Sequence, residues 1–337
     1  MTRRVGVPAC LLLACLLALA RAVWAAPQPG SPAGKDEIVP RGVLLGSVSQ
    51  STETQDQAIA RDGRIHGLAT YLYPDYAFQN TIAGTVTRQV DRTDLLLQYG
   101  ISDTWNVSLA TDWQQIQQRS SLSTTDPNPA IQAAVSQLPS QTVQGVGDVV
   151  LTSLHRPHYS DETSFVWGYG LIWPAAPLST PYIGVGTLAV QSPYGSLFSL
   201  AHVTHYAEFS RIRFDARVEF QAALQADVNT PSEGRTTLQA GNAALAEAGL
   251  QQELEQWGYG LGLSYFSRTN NGGGGVVERD PVQSYQVHAR VGHGNLTELE
   301  QGPIRFPYQV WLEYMTTVTG YNTPLEYRTS LTFSAYF

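Results

Sequence analysis

The sequence predicts an all-β fold, a transmembrane antiparallel up-and-down β-barrel of about 12 strands with short periplasmic turns and longer extracellular loops. Three observations predict it: one strand that alternates without a break, a final strand that ends on an aromatic residue, and an export signal followed by no second apolar helix.

The alternating stretch is RIRFDARVEFQA, residues 211–222. Ile212, Phe214, Ala216, Val218, Phe220 and Ala222 share one side, and Arg211, Arg213, Asp215, Arg217, Glu219 and Gln221 share the other. Successive side chains of an extended strand point to opposite faces, so one face is apolar and the other heavily charged. A helix would scatter the same residues around its whole circumference. A soluble sandwich strand remains open for this segment alone, with the charged face in water.

The end of the chain chooses between them. EYRTSLTFSAYF sets Tyr327, Thr329, Leu331, Phe333, Ala335 and Phe337 on one face and polar residues on the other. A clean strand closing on Phe337, with Phe333 behind it, resembles the assembly terminus of bacterial outer-membrane barrels. The start agrees. Arg3 and Arg4 precede an apolar run, and Val23-Trp24-Ala25 offers a cleavage site, so residues 1–25 are expected to be a cleaved signal peptide. Lipoprotein processing at Cys15 is the rival reading. No later run reaches the roughly 20 apolar residues that a membrane helix needs.

Both cysteines, Cys10 and Cys15, fall inside the signal, so disulfides, thiolate nucleophiles and cysteine metal sites are not expected after cleavage. Removing Arg3, Arg4 and Arg21 takes the net charge from −8 to −11, which disfavours a nucleic-acid partner. The expected location is the outer membrane of a Gram-negative bacterium. The expected partners are its lipid and lipopolysaccharide, the barrel-assembly machinery and a small-molecule solute. No cofactor and no metal are implied.

Residues 26–64 read as a periplasmic extension, partly disordered, which could also tuck into the barrel as a plug. TETQDQAIARD within it suggests a short helix. The barrel is then expected over 65–337. Strand-like segments fall at 65–78, 88–101, 104–117, 147–157, 163–173, 194–206, 211–223, 243–254, 257–268, 282–292, 306–318 and 326–337. Tight turns alternate with long polar segments near 118–146, 174–193, 224–242 and 269–281, the asymmetry expected of such barrels. The weakest strand is AALAEAGLQQEL, 243–254, whose composition also suits a helix. Outward aromatics Trp105, Trp113, Trp173 and Trp257 are candidates for the girdles at the two lipid boundaries. Inward glycines in SFVWGYGLIW and WGYGLGLSY read as curvature and close packing.

The lumen-facing charges form the candidate site: Asp112, Arg211, Arg213, Asp215, Arg217, Glu219, Glu247, His288, Arg290, Glu313 and Arg328. They could set the polarity of a diffusion pathway. They could equally pair with one another, because buried charges need partners.

Three segments carry a family resemblance: LLLQYGISDTWNVSLATDW, VQGVGDVVLTSLHRPHYSDE with Gly145, Gly147 and Asp148, and SFVWGYGLIWPAAP. Together they resemble the transporter-like outer-membrane proteins of the MetA-pathway of phenol degradation family, over roughly residues 65–337. Ala175-Ala176 replaces a turn that relatives often carry. The resemblance implies a barrel that assists passage of aromatic or other hydrophobic compounds, and it transfers no catalytic or ligand residue.

The function expected from all this is a channel for passive uptake of small, aromatic or hydrophobic solutes. A structural or adhesive barrel acting through its loops is the alternative. An outer-membrane hydrolase is a further one, disfavoured because HRPH and HVTH lack an adjacent serine in a recognisable motif and put His202 and His205 on opposite faces.

Overall fold

In a computed structural model of the 337-residue chain, the structure describes residues 38–60, 62–69, 82–136, 140–160, 162–174, 195–207, 212–230, 234–239, 241–254, 256–269, 281–295 and 306–337. Twelve antiparallel strands form a closed ring in chain order. They are β1 (Leu44–Gln55), β2 (Ile82–Ser102), β3 (Trp105–Thr124), β4 (Asp148–Tyr159), β5 (Thr163–Pro174), β6 (Ser196–Ala207), β7 (Ile212–Ala223), β8 (Ala243–Leu254), β9 (Trp257–Arg268), β10 (Val282–Asn295), β11 (Tyr308–Tyr321) and β12 (Tyr327–Tyr336).

Closure follows from the backbone. An open sheet edge has no hydrogen-bond partner in hydrocarbon, so a membrane sheet must return to its own first strand. Here β1 pairs β2 on one side and β12 on the other, with Leu45 opposite Tyr336 and Thr54 opposite Tyr327. Leu44 and Phe337 exchange both backbone hydrogen bonds, at 2.9 and 2.8 Å. The two ends of the barrel sequence therefore meet on the short-turn side.

Alternation sorts the faces. On β7, Phe220 is 60% exposed, whereas Arg213 and Arg217 are 4% and 8% exposed. Leu261 and Leu263 on β9 and Leu331 on β12 are likewise exposed, while Ser264 and Ser334 are buried. An outer belt of such residues is stable against lipid, not water. Among the described residues no helix is long and apolar enough to cross a membrane; the strands do the crossing.

Three expectations need correction. The barrel begins at Leu44, not at 65, because residues 44–55 form the closing strand β1 instead of a periplasmic extension. Its sequence, LLGSVSQSTETQ, carries only Leu44, Leu45 and Val48 as large apolar residues, so the sustained apolar alternation that marks other strands is absent. The helix suggested for TETQDQAIARD is strand instead: its first residues end β1, and Gln57–Ile59 pairs with Ile65–Gly67 and Thr323–Pro324 in a small sheet at the long-loop end. The expected strand at 65–78 contributes only Ile65–Gly67, and 70–78 lie outside the described residues. The total of twelve survived because one strand was gained as another was lost. The doubtful segment 243–254 is strand β8, paired along its length with β7 and β9.

A chain starting at Ile65 lacks the only strand that joins β2 to β12. It is expected to give no heat-resistant folded band in gel-shift assays after refolding into detergent, where the chain starting at Ala26 does.

The long-loop end carries added structure. β2 and β3 rise beyond the rest as an extended hairpin, helix α1 (Pro129–Ser136) follows, and the strand Gln141–Val146 pairs with the upper part of β3. Residues 225–230 and 234–239 make a second projecting hairpin, tied by an Arg235–Asp227 pair at 2.7 Å. At the other end, residues 38–43 turn under the barrel into its interior. Val39 N–H donates to the Asn106 amide oxygen at 2.6 Å, and Ile38 packs against Leu154, Val166, Phe198 and Leu200 on the inner wall.

Candidate functional site: the barrel interior

The inner wall of β7 to β12 holds three adjoining rows of polar side chains, set by cross-strand register. One row runs Arg213, Gln251, Gly260, Arg290, Glu313; the next Asp215, Gly249, Gly262, His288, Met315, Arg328; the third Arg217, Glu247, Ser264, Gln286. Residues two apart on a strand share a face, so ArgxAspxArgxGlu on β7 puts opposite charges within reach of one another.

These charges satisfy each other. Arg213 Nε donates to Asp215 at 2.8 Å, and Arg217 bonds both Glu219 and Glu247, the latter at 3.1 Å. Arg290 donates to Gln251 at 2.7 Å, lies 3.9 Å from Asp215 and stacks over the Trp311 ring at 5.3 Å. Glu313 sits 3.6 Å from His288 Nδ1 and 3.7 Å from Arg328. Across the barrel, Asp112 accepts from Arg92 at 3.0 Å. Arg211 lies outside the described residues. His202 faces inward to Asp215 at 3.3 Å, and His205 meets Thr163 on the other face.

Ser264 Oγ lies 2.8 Å from His288 Nε2, and the imidazole continues to Glu313. That connectivity resembles a hydrolytic triad, but three features oppose acyl transfer. Ser264 is only 5% exposed, its hydroxyl also donates to Gln286 at 3.2 Å, and the β8 and β10 ladders occupy the surrounding backbone. A tetrahedral oxyanion needs free, preorganised donors.

Sequence reasoning missed several inward groups. Arg92 and Asp94 lie on β2, where Leu95-Leu96-Leu97 interrupts the alternation that would have assigned their face. Glu53 belongs to the unrecognised β1. Trp311 lies flat on the inner wall because Gly258 and Gly292 have no side chains beneath it: a Cβ at either would come within 2.5 Å of the indole. The sequence offers Gly258 only as a packing glycine and does not single out Gly292; which ring the two admit needs the register.

The outward tryptophans Trp105, Trp113, Trp173 and Trp257 are all about half-exposed. Trp257, His293, Tyr308 and Phe333 form a chain of ring contacts on the outer face near the short turns, with centroids 5.0, 6.0 and 6.2 Å apart. Phe337 packs on Phe306 at 5.5 Å.

Beneath the small sheet at the long-loop end, Gln55 and Gln286 both donate to the Glu326 carboxylate, at 3.3 and 3.2 Å. Burial, reinforced by the nearby Glu53, pushes the Glu326 carboxyl up to about 8, against the opposing pull of Arg328. The folded chain thus holds this proton to higher pH than the unfolded chain, whose value is 4.5. The stability it contributes is complete below that value and is lost as pH rises through about 8. Unfolding midpoints measured from pH 5 to 9 should fall with rising pH, and Glu326→Gln should flatten the slope.

No family model matches the chain, and no curated protein does. Solved structures do. An outer-membrane channel of the COG4313 group from Pseudomonas putida F1 superposes with a TM-score of 0.65 at 16% identity, covering 91% of this chain and all of that one (100%). This chain has the fold of that channel. More distant matches include the translocator domain of the autotransporter NalP from Neisseria meningitidis, with a TM-score of 0.45 at 7% identity, covering 97% of this chain and 95% of that one. The toluene transporter TbuX from Ralstonia pickettii matches with a TM-score of 0.40 at 8% identity, covering 88% and 90%.

Proposed function

We propose that the protein is a channel or facilitator in the outer membrane of a Gram-negative bacterium, reached through a cleaved signal peptide, for passive uptake of small aromatic or hydrophobic solutes. The observation that carries this reading is the apolar stripe on the inner wall of β4 to β6. Leu154, Val166, Phe198 and Leu200 cluster there with Val150 and Ile172, on the face that barrels ordinarily make polar. The stripe runs from the long-loop end down to Ile38. The charged rows beside it are neutralised pair by pair, so they present no strong net field to an uncharged solute. The family resemblance of the three segments points the same way. The surrounding lipid would include lipopolysaccharide, and insertion would follow recognition of the Phe333–Phe337 terminus by the barrel-assembly machinery.

Vesicles with a lipopolysaccharide outer leaflet test it, using a panel of phenols, fatty acids, sugars and nucleosides. Faster entry of monoaromatic or aliphatic solutes, with little gain for sugars and nucleosides, is expected. Passage of sugars without passage of apolar solutes would overturn the reading. In planar bilayers, Arg213→Ala and Arg217→Ala are expected to alter the residual ion conductance, because each frees a carboxylate toward the lumen.

A further inference from the structure

The inward cations of β7 to β12 are engaged with acidic or amide partners, with one exception. Arg213, Arg217, His288, Arg290 and Arg328 all have partners, whereas Arg268, the last residue of β9, has no hydrogen bond or ion pair among the described residues. Arg268 borders a cavity of about 140 Å³ at the long-loop end of the barrel. Ile172, Phe266, Ala223 and Ala243 supply its apolar lining, and Ser196, Gln221 and Asp148 line it as well.

Size and lining restrict what fits. An apolar cavity of about 150 Å³ takes up a single benzene ring. This one has a flat aromatic wall from Phe266, the branched side of Ile172 and two alanines that leave room between them. Its guanidinium, unengaged among the described residues, offers a planar pair of donors, the geometry that carboxylates satisfy with two parallel hydrogen bonds. Asp148 has an interaction of its own.

We propose that this cavity binds a monocyclic aromatic carboxylate of the benzoate type, with the ring between Ile172 and Phe266 and the carboxylate on Arg268. The site rests on the channel reading and gives it a substrate class. It is an entry station: Ile172 belongs both to the cavity and to the apolar stripe, so a ring released from Arg268 faces that stripe directly.

Calorimetric titration of the full-length protein in detergent micelles, with micelle blanks, tests the site using benzoate, phenol, toluene and benzylamine. Benzoate is expected to bind most tightly. Arg268→Ala should weaken it at least tenfold, and Arg268→Lys should restore part of the loss, since lysine keeps the charge but not the paired donors. Because Arg268 balances no carboxylate among the described residues, its removal should leave the folded band in gel shift unchanged. Ala243→Phe should abolish binding of every ring by filling the space. Unchanged benzoate affinity in Arg268→Ala, or tighter binding of phenol or benzylamine than of benzoate, would overturn the proposal. Arg268-dependent benzoate binding without solute passage in vesicles would sink the channel and keep the site. Passage without benzoate binding would do the reverse.

Discussion

Arg217→Met is expected to lower the free energy of unfolding by about 3–5 kcal/mol, the usual cost of stranding a buried charge whose partner is removed. Arg217 and Glu219 are each 8% exposed, and Arg217 also holds Glu247 from the next strand. Without the guanidinium, Glu219 keeps only Gln221, which donates at 2.8 Å. The cost should come from the abandoned carboxylate and not from lost packing, because methionine fills much of the arginine stem. Adding Glu219→Gln should therefore recover most of the stability, as replacing a whole buried pair by neutral groups is often close to neutral. Urea unfolding in micelles, followed by tryptophan emission, separates these outcomes. A single variant within about 1 kcal/mol of the parent would mean that water reaches Glu219 and that the row is not a braced network.

The second large effect is expected at Gly292 on β10. A Cβ there would lie 2.4 Å from the Trp311 ring, and the same ring is 2.5 Å from a Cβ at Gly258. Gly292→Val cannot be absorbed by a small shift, since the ring is held between both glycines and Arg290. The indole must swing into the lumen. Overpacking of this kind costs about 1–3 kcal/mol. The displaced ring should also red-shift the emission and, on the channel reading, reduce conductance. Trp311→Ala added to Gly292→Val should restore both stability and conductance, because the clash has one partner. Failure of that rescue would show that Gly292 is needed for strand curvature instead.

Eleven of the twelve ring strands lie where alternation placed them, for a reason particular to membranes. Lipid outside and a polar interior impose period two on every strand at once, so Phe214, Val218 and Phe220 declare their face without any knowledge of neighbours. β1 escaped because from Ser49 on it is polar on both faces: serine, threonine and glutamine are tolerated where β2 and β12 supply its backbone hydrogen bonds. Its role is topological, and topology is a long-range property. Thr52 and Thr329 are far apart in sequence yet face one another across the seam.

The interior was legible as a set of residues but not as a set of contacts. Alternation identifies Arg213, Asp215, Arg217 and Glu219 as neighbours along one face; it does not say that Arg217 turns to Glu247 and Arg290 to Gln251. Those choices depend on cross-strand register, which turns and bulges fix outside the strands themselves. Arg268 shows the difference most plainly. In the sequence it is one more basic residue at a strand end, and only its place beside the cavity, with no partner among the described residues, distinguishes it.

The sequence by itself determined that the chain forms strands with an apolar face and a polar one, and that the pair of faces suits lipid on one side only. Alternation is a local property, read two residues at a time. The tertiary structure decided where the ring closes, which charges cancel, which ring rests on which glycine and which cation borders the cavity. These are decided by side chains brought together from strands far apart in sequence, and pairing energies of that kind have no signature until the register exists.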